Sequence, residues 1–159
     1  MKRDTKRIGT VSELKVMTAL LEAGYHVAIP YGDSCRYDLV VEDRAGELSR
    51  IQVKTAREIK GVVRFKCFSS HTHRGGVSTR RYTGEVEYFG VYCPQNERFY
   101  LIPSQDLAVE GFLRLAPTKN GQSKRIRWAG AYELGNRKNS VPEVGHDAAH
   151  GVAMGALPL

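Results

Sequence analysis

Asp38, Gln52 and Lys54 are the residues whose types and spacing could do chemistry, because a short hairpin would gather them. Tyr37–Glu42 is a largely apolar run and reads as a mostly buried strand. Asp43–Gly46 has turn chemistry, and Glu47–Thr55 reads as the returning strand. Folding about Arg44-Ala45 sets Asp38 opposite Ile51 or Gln52, depending on a one-residue bulge. Strand side chains repeat every second residue, so Gln52 and Lys54 share a face. A carboxylate, an amide oxygen and an ammonium then converge at one end of the hairpin.

Such a group suits a divalent cation, a water and a phosphate. Phosphodiester hydrolysis needs negative charge neutralised at phosphorus and a hydroxide made near neutral pH. Mg²⁺ is the expected cofactor, since it does both and prefers hard oxygen ligands. Asp38, the Gln52 amide oxygen and the Val53 backbone carbonyl are the expected ligands, with Glu13 binding directly or through a water. Gln52 where an acid could stand removes one negative charge, so weaker metal affinity is expected. Lys54 can orient the attacking water, or assist its deprotonation if its pKa is depressed.

Each residue also has a plainer reading. Glu13 can be the last member of a capping box, Thr10-Val11-Ser12-Glu13. Asp38 can bond a loop amide at a strand edge, and Gln52 and Lys54 can face outward from a half-exposed strand. The order Glu, Asp, Gln-x-Lys is what favours the chemical reading.

The elements that must position these residues are legible in outline. Gly9–Ala23 reads as a helix capped by Thr10, with Val11, Leu14, Met17, Leu20 and Leu21 as its apolar stripe. Strands are expected at Tyr25–Pro30, Val62–Phe68, Glu85–Cys93 and Arg98–Pro103. Pairing Val62–Phe68 with the strand ending at Thr55 requires a turn near Glu58–Gly61. Ser69–Thr83 has no periodicity and reads as a long basic loop. Ser104 is expected to cap a short helix to about Glu110, with Phe112–Ala116 and Arg125–Trp128 extended or irregular. Residues 1–138 read as one domain and 139–159, rich in Gly and Ala, as a poorly ordered tail.

The chain has 159 residues, 24 Lys plus Arg and 17 Asp plus Glu, a net charge of +7. That balance, clustered as it is, points to a polyanion such as nucleic acid. The expected phosphate and base contacts are Lys6, Arg7, Arg64, Lys66, Arg74, Arg80, Arg81, Lys124 and Arg125. No segment approaches the roughly 20 apolar residues of a membrane span, and no apolar run follows the basic N-terminus as in a signal peptide. Cys35, Cys67 and Cys93 are widely spaced, which suits free thiols in a reducing, cytoplasmic compartment. His71, His73 and Cys67 offer only three ligands of a zinc tetrahedron, and the histidines read instead as phosphate neighbours.

Gly9-x-x-x-Glu13, Asp38 and Gln52-x-Lys54 together resemble the PD-(D/E)XK nuclease superfamily. Downstream, Tyr82–Tyr92, Phe99–Pro103, Leu115-Ala116-Pro117-x-x-Asn120-Gly121 and Trp128-Ala129 are similar to its group I intron-associated homing endonucleases. The resemblance covers about residues 5–135. It implies an α/β restriction-endonuclease-like core, a mixed central sheet flanked by helices. It also implies Mg²⁺-dependent, site-specific cleavage of double-stranded DNA by a homo-dimer or homo-tetramer. The catalytic roles fall on Glu13, Asp38, Gln52 and Lys54. Tyr37 stands where the family name has proline, and no crossover helix is evident in 69–83. The alternative on the same fold is a structure-selective, junction-resolving nuclease or a non-cleaving DNA-binding protein.

Overall fold

Asp4 opens the first element. Its carboxylate accepts from the Arg7 backbone N–H at 3.0 Å and caps helix α1, Thr5–Glu22. The helix therefore starts about a turn before the expected Gly9, and Thr10 is no cap: its hydroxyl donates back to the Lys6 carbonyl. Gly9 and the polar residues before it hid this first turn. The buried face is Ser12, Val16, Ala19 and Leu20, whereas Val11, Leu14 and Leu21 of the expected stripe are exposed. Bonds from Gly24 N–H to Leu21 O and from Tyr25 N–H to Leu20 O close the helix.

The computed structural model describes residues 4–32, 34–117 and 124–135. The expected tail at 139–159 lies outside the described residues, as does the Asn120-Gly121 pair. The strands are β1 (His26–Ala28), β2 (Leu39–Glu42), β3 (Leu48–Thr55), β4 (Arg57–Ile59), β5 (Val62–Lys66), β6 (Phe68–His73), β7 (Gly76–Arg81), β8 (Tyr88–Cys93), β9 (Arg98–Pro103) and β10 (Glu110–Arg114). Five of them form the central sheet in the order β1-β2-β3-β8-β9. It is mixed: β3 and β8 run parallel, and the other pairs are antiparallel.

Helix α1 covers one face of this sheet, packing Val16 and Leu20 on Leu39, Val41, Ile51 and Val53. Gly90 on β8 permits this approach, since a Cβ there would lie 2.8 Å from Val16 Cγ1. A smaller sheet, β10-β5-β4, covers the other face through Val63, Phe65, Phe89, Val91, Ile102 and Leu113. α1 is the only α-helix among the described residues. Among the described residues no helix is long and apolar enough to cross a membrane.

Three expectations need correction. The segment 69–83 is not a loop but most of a two-stranded ribbon, β6 with β7, closed by Arg74-Gly75. Its described residues on β7 are exposed throughout, so no apolar alternation marked it as strand. The chain after Thr55 continues as β4 and turns at Lys60-Gly61 to pair with β5, in a separate sheet. The helix after Ser104 is only a single 3-10 turn, Ser104–Asp106, and Glu110–Arg114 is a strand on β5. The connection from β3 to its parallel neighbour β8 is thus made of strands, with no helix in it.

Candidate active site

The hairpin β2–β3 sets the site. Asp43 Oδ1 accepts from the N–H groups of Ala45 and Glu47, and Gly46 takes a φ of +84°. This turn pairs Leu39 with Ile51, so Asp38 falls across from Gln52, the bulged alternative of the two expected. Ile51 and Val53 face α1, which turns Gln52 and Lys54 to the opposite side. The Asp38 Oδ2 atom accepts from the Val53 N–H at 2.7 Å and from the Gln52 amide. The same Gln52 nitrogen lies 3.4 Å from the Val53 carbonyl oxygen.

Burial sets the electrostatics. Gln52 is only 8% exposed. Burial raises the Asp38 pKa, against the pull of the Val53 N–H, Lys54 and Gln52. Burial likewise lowers the Lys54 pKa, Asp38 opposing it and Arg36 adding to it. The Glu13 pKa is raised, first by burial and then by the negative charge of Asp38. Glu13 lies on α1, whose cap is Asp4 and not Thr10. Its neighbour Ser12 fixes it there: the Ser12 and Thr55 hydroxyls are 2.6 Å apart, tying α1 to the end of β3.

The oxygen donors suit a hard cation. Among the described residues no three of His, Cys, Asp and Glu cluster to hold a metal, so an ion here must draw on amide and carbonyl oxygens. The Gln52 –NH₂ bridges two such acceptors, Asp38 Oδ2 and Val53 O. Turning the amide over would present its own oxygen to the same point. The Asp38 carboxylate and these two neutral oxygens then suit a hard divalent cation. Tyr37, at the proline position, packs against the larger core cluster.

The basic residues are dispersed. Lys6 lies two helical turns before Glu13, on one face of α1, with Arg7 beside it. Arg64 and Lys66 are on the exposed side of β5, where Arg64 pairs with Glu110 at 3.7 Å and lies over Phe112. Arg74 sits at the ribbon tip, and Arg80 and Arg81 lie on β7, with Arg80 paired to Glu85. Lys124 and Arg125 are exposed near the far end of β10. Arg36, Tyr82 and Glu85 lie against the site without having been expected there. Arg36 stands two residues before Asp38 but ahead of strand β2, so no strand periodicity announced it.

Residues 3–135 match the model of the PD-(D/E)XK endonuclease family, and the chain belongs to that family. It is therefore a nuclease of the hydrolase class. Among solved structures, a bacterial homing endonuclease, I-Ssp6803I, is similar with a TM-score of 0.64 at 25% identity, over 88% of this chain and 98% of that one. No curated protein matches.

Proposed function

We propose that this chain is a Mg²⁺-dependent homing-type endonuclease that cuts double-stranded DNA at specific sites, its nuclease domain spanning residues 1–138. The observation that carries the reading is the convergence of Asp38, the Gln52 amide and the Val53 backbone on the strand that also carries Lys54. The likeness to a homing endonuclease supports the site-specific form.

Asp38, Gln52 and Val53 would hold the cation, with Glu13 joining directly or through a water. Bound there, Mg²⁺ supplies charge neutralisation at the phosphate and acidifies water. Burial lowers the Lys54 pKa, so Lys54 gives up its proton more readily than an exposed lysine. It can hydrogen-bond the phosphate as ammonium or accept the water proton as amine. Lys6, Arg7, Arg74, Arg80, Arg81, Lys124 and Arg125 would hold the DNA backbone, and Arg64 and Lys66 would read base edges. One such site cuts one strand, so a double-strand break calls for a homo-dimer or homo-tetramer. A DNA substrate and three free thiols suit the cytoplasm.

The test is cleavage of a plasmid library and of four-way junctions, with Mg²⁺ and with chelator. Discrete double-strand breaks that need the metal and vanish in Asp38→Asn are expected. Cutting confined to junctions, or no cutting, would overturn the site-specific reading. Light scattering is expected to give a dimer or tetramer.

A further inference from the structure

Lys54 is held by the base of the ribbon. Its Nζ donates to the Phe68 carbonyl at 3.4 Å and to the Tyr82 hydroxyl at 3.3 Å. It also stands 4.5 Å from the centroid of the Tyr82 ring. Phe68 is the first residue of β6, and Tyr82 follows the last residue of β7. Phe68 and Arg81 are cross-strand partners. The two feet of the ribbon thus meet at the ammonium.

A second cation braces the same ring. The Arg36 guanidinium lies 4.4 Å from the Tyr82 centroid. Its three nitrogens are all engaged: Nε with Glu85 at 2.8 Å, one terminal nitrogen with Ser69 Oγ at 2.9 Å, the other with the Arg81 carbonyl at 3.2 Å. Arg36 therefore staples the loop that leads into Asp38 to both strands of the ribbon. Tyr82 is buried, packed edge-on against Phe89. The phenol is a fixed post with Arg36 and Lys54 on its ring.

A lysine has a flexible four-carbon stem, and only the contacts of its head place it. We propose that Tyr82 and Arg36 are positioning residues for Lys54, so that the base of the ribbon is part of the catalytic machinery. This rests on the nuclease reading above. Tyr82 gives Lys54 an acceptor and an aromatic face. Arg36 locks Tyr82 and the ribbon base in register with Asp38. Neither residue is among those assigned to metal or phosphate.

The experiment measures single-turnover cleavage with Mg²⁺, duplex affinity in chelator, and thermal melting, on the full chain. Tyr82→Phe keeps the ring and removes the hydroxyl. Arg36→Lys keeps the charge and removes the three-way fork. Lys54→Met marks the loss of the lysine itself. Both positioning variants are expected to slow cleavage by roughly tenfold, the scale of a displaced catalytic group, with affinity changed by less than about twofold and melting nearly unchanged. Cleavage at the wild-type rate in both variants, with Lys54→Met inactive, would overturn the positioning role. A slower rate matched by an equal loss of affinity or by collapse of melting would reduce Tyr82 and Arg36 to structural residues and overturn it too. Failure of the wild-type chain to cut any DNA would instead overturn the nuclease reading itself.

Discussion

Replacing Gly90 with alanine tests how α1 seats Glu13. The added Cβ would stand 2.8 Å from Val16 Cγ1 and 3.1 Å from Ile51 Cγ2. Carbons in contact rest about 3.5–4.0 Å apart, so the helix must retreat by roughly 0.7–1.2 Å. Val16 cannot turn aside, because it is fully buried and a β-branched side chain in a helix has essentially one rotamer. Overpacking of this kind costs about 1–3 kcal/mol, which lowers Tm by several degrees in a domain of this size. The larger effect falls on turnover. Glu13 lies one helical turn before Val16 on the displaced helix, and a 1 Å misplacement can cost on the order of 10²-fold. Single-turnover cleavage at a temperature where Gly90→Ala is fully folded should fall by at least roughly tenfold. Val16→Ala in the same chain makes room for the methyl and should recover much of the rate. Full turnover in folded Gly90→Ala, or no recovery in the double variant, would refute the idea that α1 places a catalytic carboxylate.

Other outcomes follow from the same geometry. Gln52→Glu should tighten Mg²⁺ binding, read by isothermal titration, because it adds a charge where a neutral oxygen stood; weaker binding would remove Gln52 from the ligand set. Glu13→Gln should lower turnover by at least roughly tenfold, equal to about 1.4 kcal/mol of barrier, with Tm nearly unchanged; normal turnover would leave Glu13 no catalytic part. Neutralising Arg80 and Arg81 should weaken binding to every duplex and flatten the salt dependence by roughly one unit of slope per lost phosphate contact. Asp38 has a folded pKa raised above its ordinary 3.8. Its contribution to stability is full below that pH and is lost as pH rises through the folded value. Asp38→Asn should therefore melt higher than wild type at pH 7.5 in chelator, and the gap should close as pH falls below the folded pKa.

The hairpin was legible because its information is local. Asp43 and Gly46 declare the turn, and the apolar residues on either side declare the strands. The choice between Ile51 and Gln52 opposite Asp38 hung on one left-handed residue, Gly46. The capping box misled because Thr10 and Glu13 have the right spacing, whereas Asp4 lies ahead of Gly9 and of any apolar repeat. The ribbon was illegible for a different reason. Strands are read from a buried face, and β7 has none. Arg36, Tyr82 and Glu85 meet only because that ribbon returns to its starting point, so no local pattern could announce them together.

That return has a bearing on how such a protein can change over generations. Phe68 and Arg81 are partners at the foot of the ribbon, and everything between them is an excursion that begins and ends in one place. Lengthening or shortening a hairpin at its tip leaves the pairing at its foot intact, and each doubling of a loop costs only about 0.6 kcal/mol in closure entropy. Insertions and deletions near Arg74-Gly75 can accumulate without disturbing Lys54. On the proposed reading, target preference can drift by remodelling an appendage while the cutting apparatus stays still. An engineer could exploit the same separation by grafting foreign ribbons between the retained Phe68 and Arg81.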